Sequence, residues 1–278
     1  MRSELDWALR SIGRGAELVR ARSFYRTDHV TLHCVEVLHH GVRMKLVLRR
    51  YVDREWLSRE GDLASREAKT LQLLENVREL RTPKLIAVDP TGRDAGVPTV
   101  LMSHLGGREE WEPPSIEKLA ALAPIIHEVR PPRNFRRYQR YYTGEALRVP
   151  AWSKRPKLWE RAFEVAEAAP VELASTHFIH RDHHQGNVLW SYGRVVGVID
   201  WEPASIGPAA VDYAHMRANL AAHLGIGAAR RYAKCEGIDV DPVWDIVDAV
   251  DFGDNELPGP NAHRGREAFV ADALSELG

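Results

Sequence analysis

Residues 180–187 read HRDHHQGN, and they are followed by VLW at residues 188–190 and by VVGVID at residues 195–200. The two apolar runs are β-like, and Ser191-Tyr192-Gly193-Arg194 between them is turn material, so the stretch predicts a short hairpin. Asp182 precedes this hairpin, Asn187 begins it and Asp200 ends its second strand. Hairpin geometry would then let Asn187 and Asp200 hold one cation between them. Taken singly, each residue has an ordinary reading: Asp182 as a hydrogen-bonded turn residue, Asn187 as a strand start, Asp200 as a cap. Their combined spacing favours a site.

Upstream of this stretch, residues 31–38 (TLHCVEVL) and 42–51 (VRMKLVLRRY) read as paired strands divided by His39-His40-Gly41. The second strand alternates, with Met44, Leu46 and Leu48 on one face and Lys45, Val47 and Arg49 on the other. A helix follows over about residues 63–77, its Leu63, Leu71 and Leu74 forming one stripe with Glu67 beside them, so Glu67 points inward. Two further strands are expected at residues 84–88 and 97–102. Downstream the pattern turns helical, at residues 116–128, 157–169, 209–224, 228–236, 243–250 and 265–277. A β-rich part before a mainly helical part predicts an α+β, two-lobed architecture, with domains at residues 1–104 and 105–278.

Composition narrows the class. With 278 residues and 44% hydrophobic content, the chain can bury a sizeable core. Its net charge of −1 supplies no overall field for nucleic acid or an anionic membrane, so neither is an expected partner. Cys34 and Cys235 are far apart and form no thiolate zinc pattern, which favours free thiols in a reducing cytoplasm. The charged start MRSELDWALRSIG lacks the apolar core of a signal peptide, and no apolar run is long enough to span a membrane. The sequence leaves the oligomeric state open. One local block interleaves Arg130, Arg133, Arg136, Arg137 and Arg140 with Phe135, Tyr138, Tyr141 and Tyr142, and a solvated loop and helix start is its plain reading over a phosphate or base contact.

Phosphoryl transfer needs a carboxylate to orient an attacking hydroxyl and accept its proton, together with hard oxygen ligands for magnesium. HRDHHQGN with the downstream VIDW resembles the catalytic and metal-binding loops of the aminoglycoside phosphotransferase family, within the protein-kinase-like superfamily. The resemblance extends over nearly the whole chain. It implies a nucleotide-covering β-rich lobe, a helical lobe with the acceptor pocket, ATP or GTP as phosphate donor, and Mg2+. It further implies Asp182 as catalytic base, Asn187 and Asp200 as magnesium ligands, and His180 as a structural residue. Asp212 would help to fix the loop. Arg49 stands where the family has a phosphate-binding lysine, and Glu67 suits its ion-pair partner. Ser103, His104 and Leu105 would be the hinge that meets the nucleotide base through backbone groups.

Two features depart from the family pattern. The expected lysine is Arg49, and the phosphate-covering loop, expected near residues 21–33, contains no glycine, so Ser23, Arg26 or Thr27 would do the covering. Because only residues 201–211 lie between Asp200 and Asp212, there is no room for a long peptide-binding segment, and a small-molecule hydroxyl acceptor is implied. An acidic excess between Asp200 and Glu256 suits a cationic acceptor such as an aminoglycoside, although solvated helix faces explain Asp245, Asp248 and Asp251 equally well. A sugar or amino alcohol fits too. The rival readings are a catalytically silent nucleotide-binding module and, more remotely, a metal-dependent hydrolase using His180, His183 and His184; in the kinase-like reading His183 and His184 face solvent or substrate.

Overall fold

The computed structural model describes residues 2–140, 147–169, 176–252, 257 and 259–278. It forms two compact units, Met1–Gly107 with Val196–Pro203, and Arg108–Val195 with Ala204–Gly278.

The first unit begins with helix α1 (Arg2–Ile12) and continues through strands β1 (Glu17–Arg26), β2 (Val30–His39) and β3 (Val42–Tyr51). Helices α2 (Arg54–Arg59) and α3 (Leu63–Leu74) precede strands β4 (Leu85–Asp89) and β5 (Thr99–Ser103). The strands make one antiparallel sheet in the order β1-β2-β3-β5-β4. Alternation along β3 decides what each face does. Leu46 and Leu48 join Val35, Val37 and Leu101 against Trp7 and Ala8 of α1, and each such large apolar side chain contributes roughly 1.5–3 kcal/mol on burial. The opposite face is left to Lys45, Val47 and Arg49. Between β4 and β5, the Asp89 carboxylate accepts the N–H groups of Gly92, Asp94 and Ala95 at 2.9, 2.7 and 2.8 Å. Gly92 turns the chain there at φ 74°, where a Cβ would lie 2.4 Å from the Val97 carbonyl carbon, so no larger residue fits.

The glycine-free segment is not a loop. Residues 21–26 belong to β1 and residues 30–33 to β2, leaving only Thr27, Asp28 and His29 as a turn, in which the Thr27 hydroxyl accepts the N–H groups of His29 and Val30. Strand residues of this kind need no glycine. What concealed β1 in the sequence is its exposure, since nearly every side chain of this edge strand meets solvent and no alternation is imposed on it.

The second unit contains β6 (Arg108–Glu109), α4 (Ile116–Ala120), α5 (Leu122–His127), α6 (Pro156–Ala168) and β7 (His177–Ile179). A single 3₁₀ turn (Gln185–Asn187) leads into β8 (Val188–Ser191), and β9 (Arg194–Val198) carries the chain into the first unit. The chain returns with β10 (Ser205–Gly207), α7 (Ala209–Leu224), α8 (Ile226–Ala233), α9 (Pro242–Asp251) and α10 (Pro260–Leu277). The core is built where α6, α7, α9 and α10 meet, around Trp159, Ala218, Ile246 and Phe269. Small residues set the distances: a Cβ at Gly265 of α10 would come within 2.0 Å of the Ala221 carbonyl of α7. Antiparallel pairing of β7 with β10 sets Ile179, after which the HRDHHQGN stretch starts, opposite Ser205 at the start of β10.

Residues 130–140 form no helix. Instead Tyr138 N–H donates to Ile206 O, Ile206 N–H to Arg136 O, and Arg140 Nη1 to Ala166 O, so this block is stitched to β10 and α6. Tyr141 and Tyr142 lie outside the described residues, as do Asp254 and Glu256. Among the described residues no helix is long and apolar enough to cross a membrane.

Candidate active site

In the second unit the catalytic-loop stretch folds around Asp182. Asn187 sits in the 3₁₀ turn just before β8 rather than at the strand's first position, and its Nδ2 donates to both the Asp182 carbonyl and Asp182 Oδ2, each at 2.9 Å. His215 of α7 brings Nε2 to 3.1 Å from Asp182 Oδ1, and His184 brings its Nε2 to 3.7 Å from the same oxygen. Burial would push the Asp182 carboxyl up, but the neighbouring His184 and His215 hold it well below the usual carboxylate range. Asp182 is therefore an anion at neutral pH. Its side chain is only partly exposed, 31%.

Asp212, in the first turn of α7, fixes this loop. Its fully buried carboxylate accepts the backbone N–H groups of His180 at 2.9 Å and Arg181 at 2.7 Å, and it pairs with His127 Nε2 at 3.0 Å. Two consecutive N–H groups can reach one carboxylate because Arg181 adopts φ 70°, a conformation that a non-glycine residue holds only with such support. Burial raises the Asp212 carboxyl, yet the His127 hydrogen bond and charge outweigh it and leave the group at about 2.

His183 does not face solvent or substrate. It is fully buried, and neither ring nitrogen has a hydrogen-bond partner among the described residues. His184 is partly buried, accepts the Gly186 N–H on Nδ1 at 3.0 Å and stacks with Trp111. Burial pushes His183 down to about 3, so it is neutral in the folded protein. The unfolded chain takes up this proton near the ordinary value of 6.5, so lowering the pH from 6.5 towards 3 favours unfolding. His183→Leu is therefore expected to stabilise the protein, by roughly 1–3 kcal/mol at neutral pH from the relieved polar burial and by more as pH falls through that window. Urea denaturation at pH 7 and pH 5 measures this; a variant less stable than the parent at both would refute it.

The three aspartates of α9 are not on a solvated face. Asp245, Asp248 and Asp251 are buried, and each meets a cation: Arg217 for Asp245, His215 Nδ1 at 2.8 Å for Asp248, and Arg140 Nε at 3.7 Å for Asp251. Their charge is neutralised internally, so it lends little field to an incoming cation.

The first unit holds the other candidate residues. Arg49 Nη1 lies 3.1 Å from Glu67 Oε1 and 2.6 Å from Asp200 Oδ1, while Tyr51 donates its hydroxyl to Glu67 Oε2 at 2.9 Å. Burial disfavours the guanidinium charge, but Asp200 and Glu67 raise Arg49 well above its usual value and keep it cationic. Asp200 lies beyond the end of β9 rather than within it, at φ 66°. Trp201 is fully buried and donates Nε1–H to Val198 O, and Glu202 is buried against Arg66, so both pack structurally. Of the expected hinge, Ser103 N–H is already given to Lys84 O and His104 N–H to Lys45 O, which leaves Leu105 as the residue whose N–H has no such bond among the described residues. The Leu105 side chain covers Gly197, where a Cβ would lie 2.4 Å from its Cδ1.

A family model described as "Phosphotransferase enzyme family" matches residues 35–249. The chain belongs to that family. It is a small-molecule phosphotransferase with the kinase-like fold, an antiparallel-sheet unit and a helical one. Similar solved structures include aminoglycoside phosphotransferase APH(4)-Ia, at 12% identity, a TM-score of 0.66, and coverage of 100% of this chain and 99% of that one. A thermostable mutant of the same protein, in ternary complex with ADP and hygromycin B, matches with 12% identity and a TM-score of 0.65 over 99% of this chain and 98% of that one. Macrolide 2'-phosphotransferase MphH from Brachybacterium faecium matches with 15% identity and a TM-score of 0.55 over 100% and 93%. No curated protein matches the chain.

Within this phosphotransferase the residue that sequence reasoning missed is His215. It lies on α7, and only the Asp182-His215-Asp248 geometry gives it a role.

Proposed function

We propose that the chain transfers the γ-phosphate of ATP or GTP to a hydroxyl of a small molecule, with Asp182 as catalytic base and Asn187 and Asp200 as magnesium ligands. The observation that carries this reading is the double donation from Asn187 Nδ2 to Asp182, because it fixes the amide so that Asn187 Oδ1 is the atom left for a hard cation. The donor set suits magnesium, being an amide oxygen and a carboxylate oxygen with no thiolate. When bound, magnesium neutralises charge on the nucleotide phosphates. Asp182 accepts the hydrogen bond of the acceptor hydroxyl and holds that oxygen for in-line attack. The new P–O bond forms as the bond to the leaving nucleoside diphosphate breaks, and the hydroxyl proton passes to the Asp182 carboxylate.

Arg49, tied to Glu67 and Asp200, steadies the phosphates, and Ser103, His104 and Leu105 meet the nucleotide base, with the Leu105 N–H the donor best placed to serve. Arg49→Lys keeps the charge but loses the planar fork, so it is expected to leave the fold intact and weaken binding of a nonhydrolysable ATP analogue by about 10-fold, one charge-assisted hydrogen bond. Unchanged affinity in calorimetry would reduce Arg49 to a strand-to-helix ion pair.

The acceptor is proposed to be an aminoglycoside-like compound, a sugar or an amino alcohol; the phosphotransferases of similar fold that act on aminoglycosides and macrolides support this range. The two free cysteines support a reducing, cytoplasmic setting. The hydrolase reading loses its support, since His183 is buried and His184 Nδ1 already accepts an N–H, which leaves its Nε2 protonated rather than ready to bind a metal. The test is a screen of hydroxylated metabolites and antibiotics with ATP and GTP, read by the mass of phosphorylated product. Nucleotide binding without magnesium-dependent turnover on any acceptor would convert the chain to a silent binding module.

A further inference from the structure

His215 is held between two carboxylates. Its Nδ1 lies 2.8 Å from Asp248 Oδ1 and its Nε2 lies 3.1 Å from Asp182 Oδ1. A carboxylate oxygen accepts and does not donate when ionised, so both ring nitrogens must carry hydrogen for both bonds to exist. Only an imidazolium satisfies that requirement. Around the ring, the catalytic loop places Asp182 and His184, α9 places Asp248, Asn219 of α7 donates its Nδ2 to the His215 carbonyl at 2.9 Å while lying 3.3 Å from Nε2, and Phe252 covers a ring face with centroids 4.6 Å apart. His215 is 4% exposed, so water cannot replace either partner cheaply. Burial lowers its affinity for a proton, but the Asp248 charge raises it to about 10.

Resting on the phosphotransfer reading, we infer that His215, clamped by Asp248, is a positioning residue that locks Asp182 through Oδ1 and leaves a lone pair of Oδ2 for the acceptor hydroxyl. Among the described residues Oδ2 receives only the Asn187 Nδ2 hydrogen bond, whereas Oδ1 faces both His215 and His184. Rotation of the carboxylate would break the bonds to His215 and Asn187 together. The same clamp keeps His215 from taking the acceptor's proton, because both of its nitrogens are already protonated. The proton therefore goes to Asp182 alone.

The experiment measures ADP release from ATP with magnesium and with water as the acceptor, in the full chain, for the parent, His215→Leu, His215→Gln and Asp248→Asn. His215→Leu is expected to lower kcat by about 10- to 100-fold, the cost of a misplaced reacting group, with little change in the KM for ATP. His215→Gln, which can still donate to Asp182, is expected to recover part of the loss. A second readout needs no turnover: the ring-nitrogen NMR signals of His215 at pH 8 should show two N–H groups in the parent and lose that signature in Asp248→Asn. A neutral His215 at pH 8, or a kcat for His215→Leu equal to the parent's, overturns the inference and leaves phosphotransfer standing. A kcat that falls only in step with melting temperature, with no recovery in His215→Gln, also overturns it. Absence of turnover in the unchanged protein, with water and across the acceptor screen, sinks the phosphotransfer reading itself and the inference with it.

Discussion

Asp182→Asn is expected to lower kcat by about 10²- to 10⁴-fold, the range a general base contributes, while the KM for ATP stays close to the parent's. The substitution keeps the shape of the side chain and one acceptor oxygen, so the contacts to Asn187 and His215 can be kept in part. What it removes is the negative charge that His184 and His215 hold in place, and with it the group proposed to take the acceptor's proton. An effect confined to kcat follows because Asp182 is asked to bind the hydroxyl's proton in the transition state, not the nucleotide in the ground state. Steady-state kinetics over a range of ATP concentrations checks it, with thermal melting as control. Near-parental kcat in a well-folded Asp182→Asn protein would remove Asp182 from the chemistry.

The fold was legible where burial imposes a period. β3 and the helices α3 and α6 follow apolar stripes, because one face of each must leave water, whereas α7 and α9 are buried nearly all round. β1 lacked that imprint, being exposed at nearly all positions, and β7 and β10 are three residues each, too short for any period to show. Helix α1 carries a signal too, with Leu5, Ala8, Leu9 and Ile12 at helical spacing. In the candidate site, Asp182, Asn187 and Asp200 stood out because one short stretch fixes their spacing. His215 and Asp248 come from separate helices, so only tertiary packing joins them.

A signal for the α9 aspartates was present all the same. Trp244, Ile246, Val247, Ala249 and Val250 occupy the positions around Asp245, Asp248 and Asp251, and all are buried. A helix that is apolar on every side has no solvent face to give its charges. Buried carboxylates of that kind demand cations from neighbouring elements, and Arg217 and His215 on α7 meet two of them.

Asp212→Ala is expected to cost about 3–5 kcal/mol of stability, the range for removing one partner of a buried charge pair, out of a total of roughly 5–15 kcal/mol for a protein of ordinary stability. Three donors lose their acceptor at once: the N–H groups of His180 and Arg181 and the Nε2 of His127. None can turn to water, since His180, Arg181 and His127 are all buried. Arg181 also loses the support for its positive φ, so the loop that presents Asp182 is expected to shift and activity to fall with stability. Asp212→Asn should be milder, because one oxygen remains to accept a backbone N–H while the amide nitrogen confronts another donor. The pH dependence adds a check. With Asp212 at about 2 when folded against an ordinary 3.8, its contribution is fully present above 3.8 and is lost as pH falls through 2. Urea denaturation at pH 7 should therefore separate Asp212→Ala from the parent by the full amount, and the gap should narrow as the pH drops below 3.8. An equal gap at pH 7 and pH 2.5, or no gap at pH 7, would mean that the Asp212 carboxylate does not hold the catalytic loop.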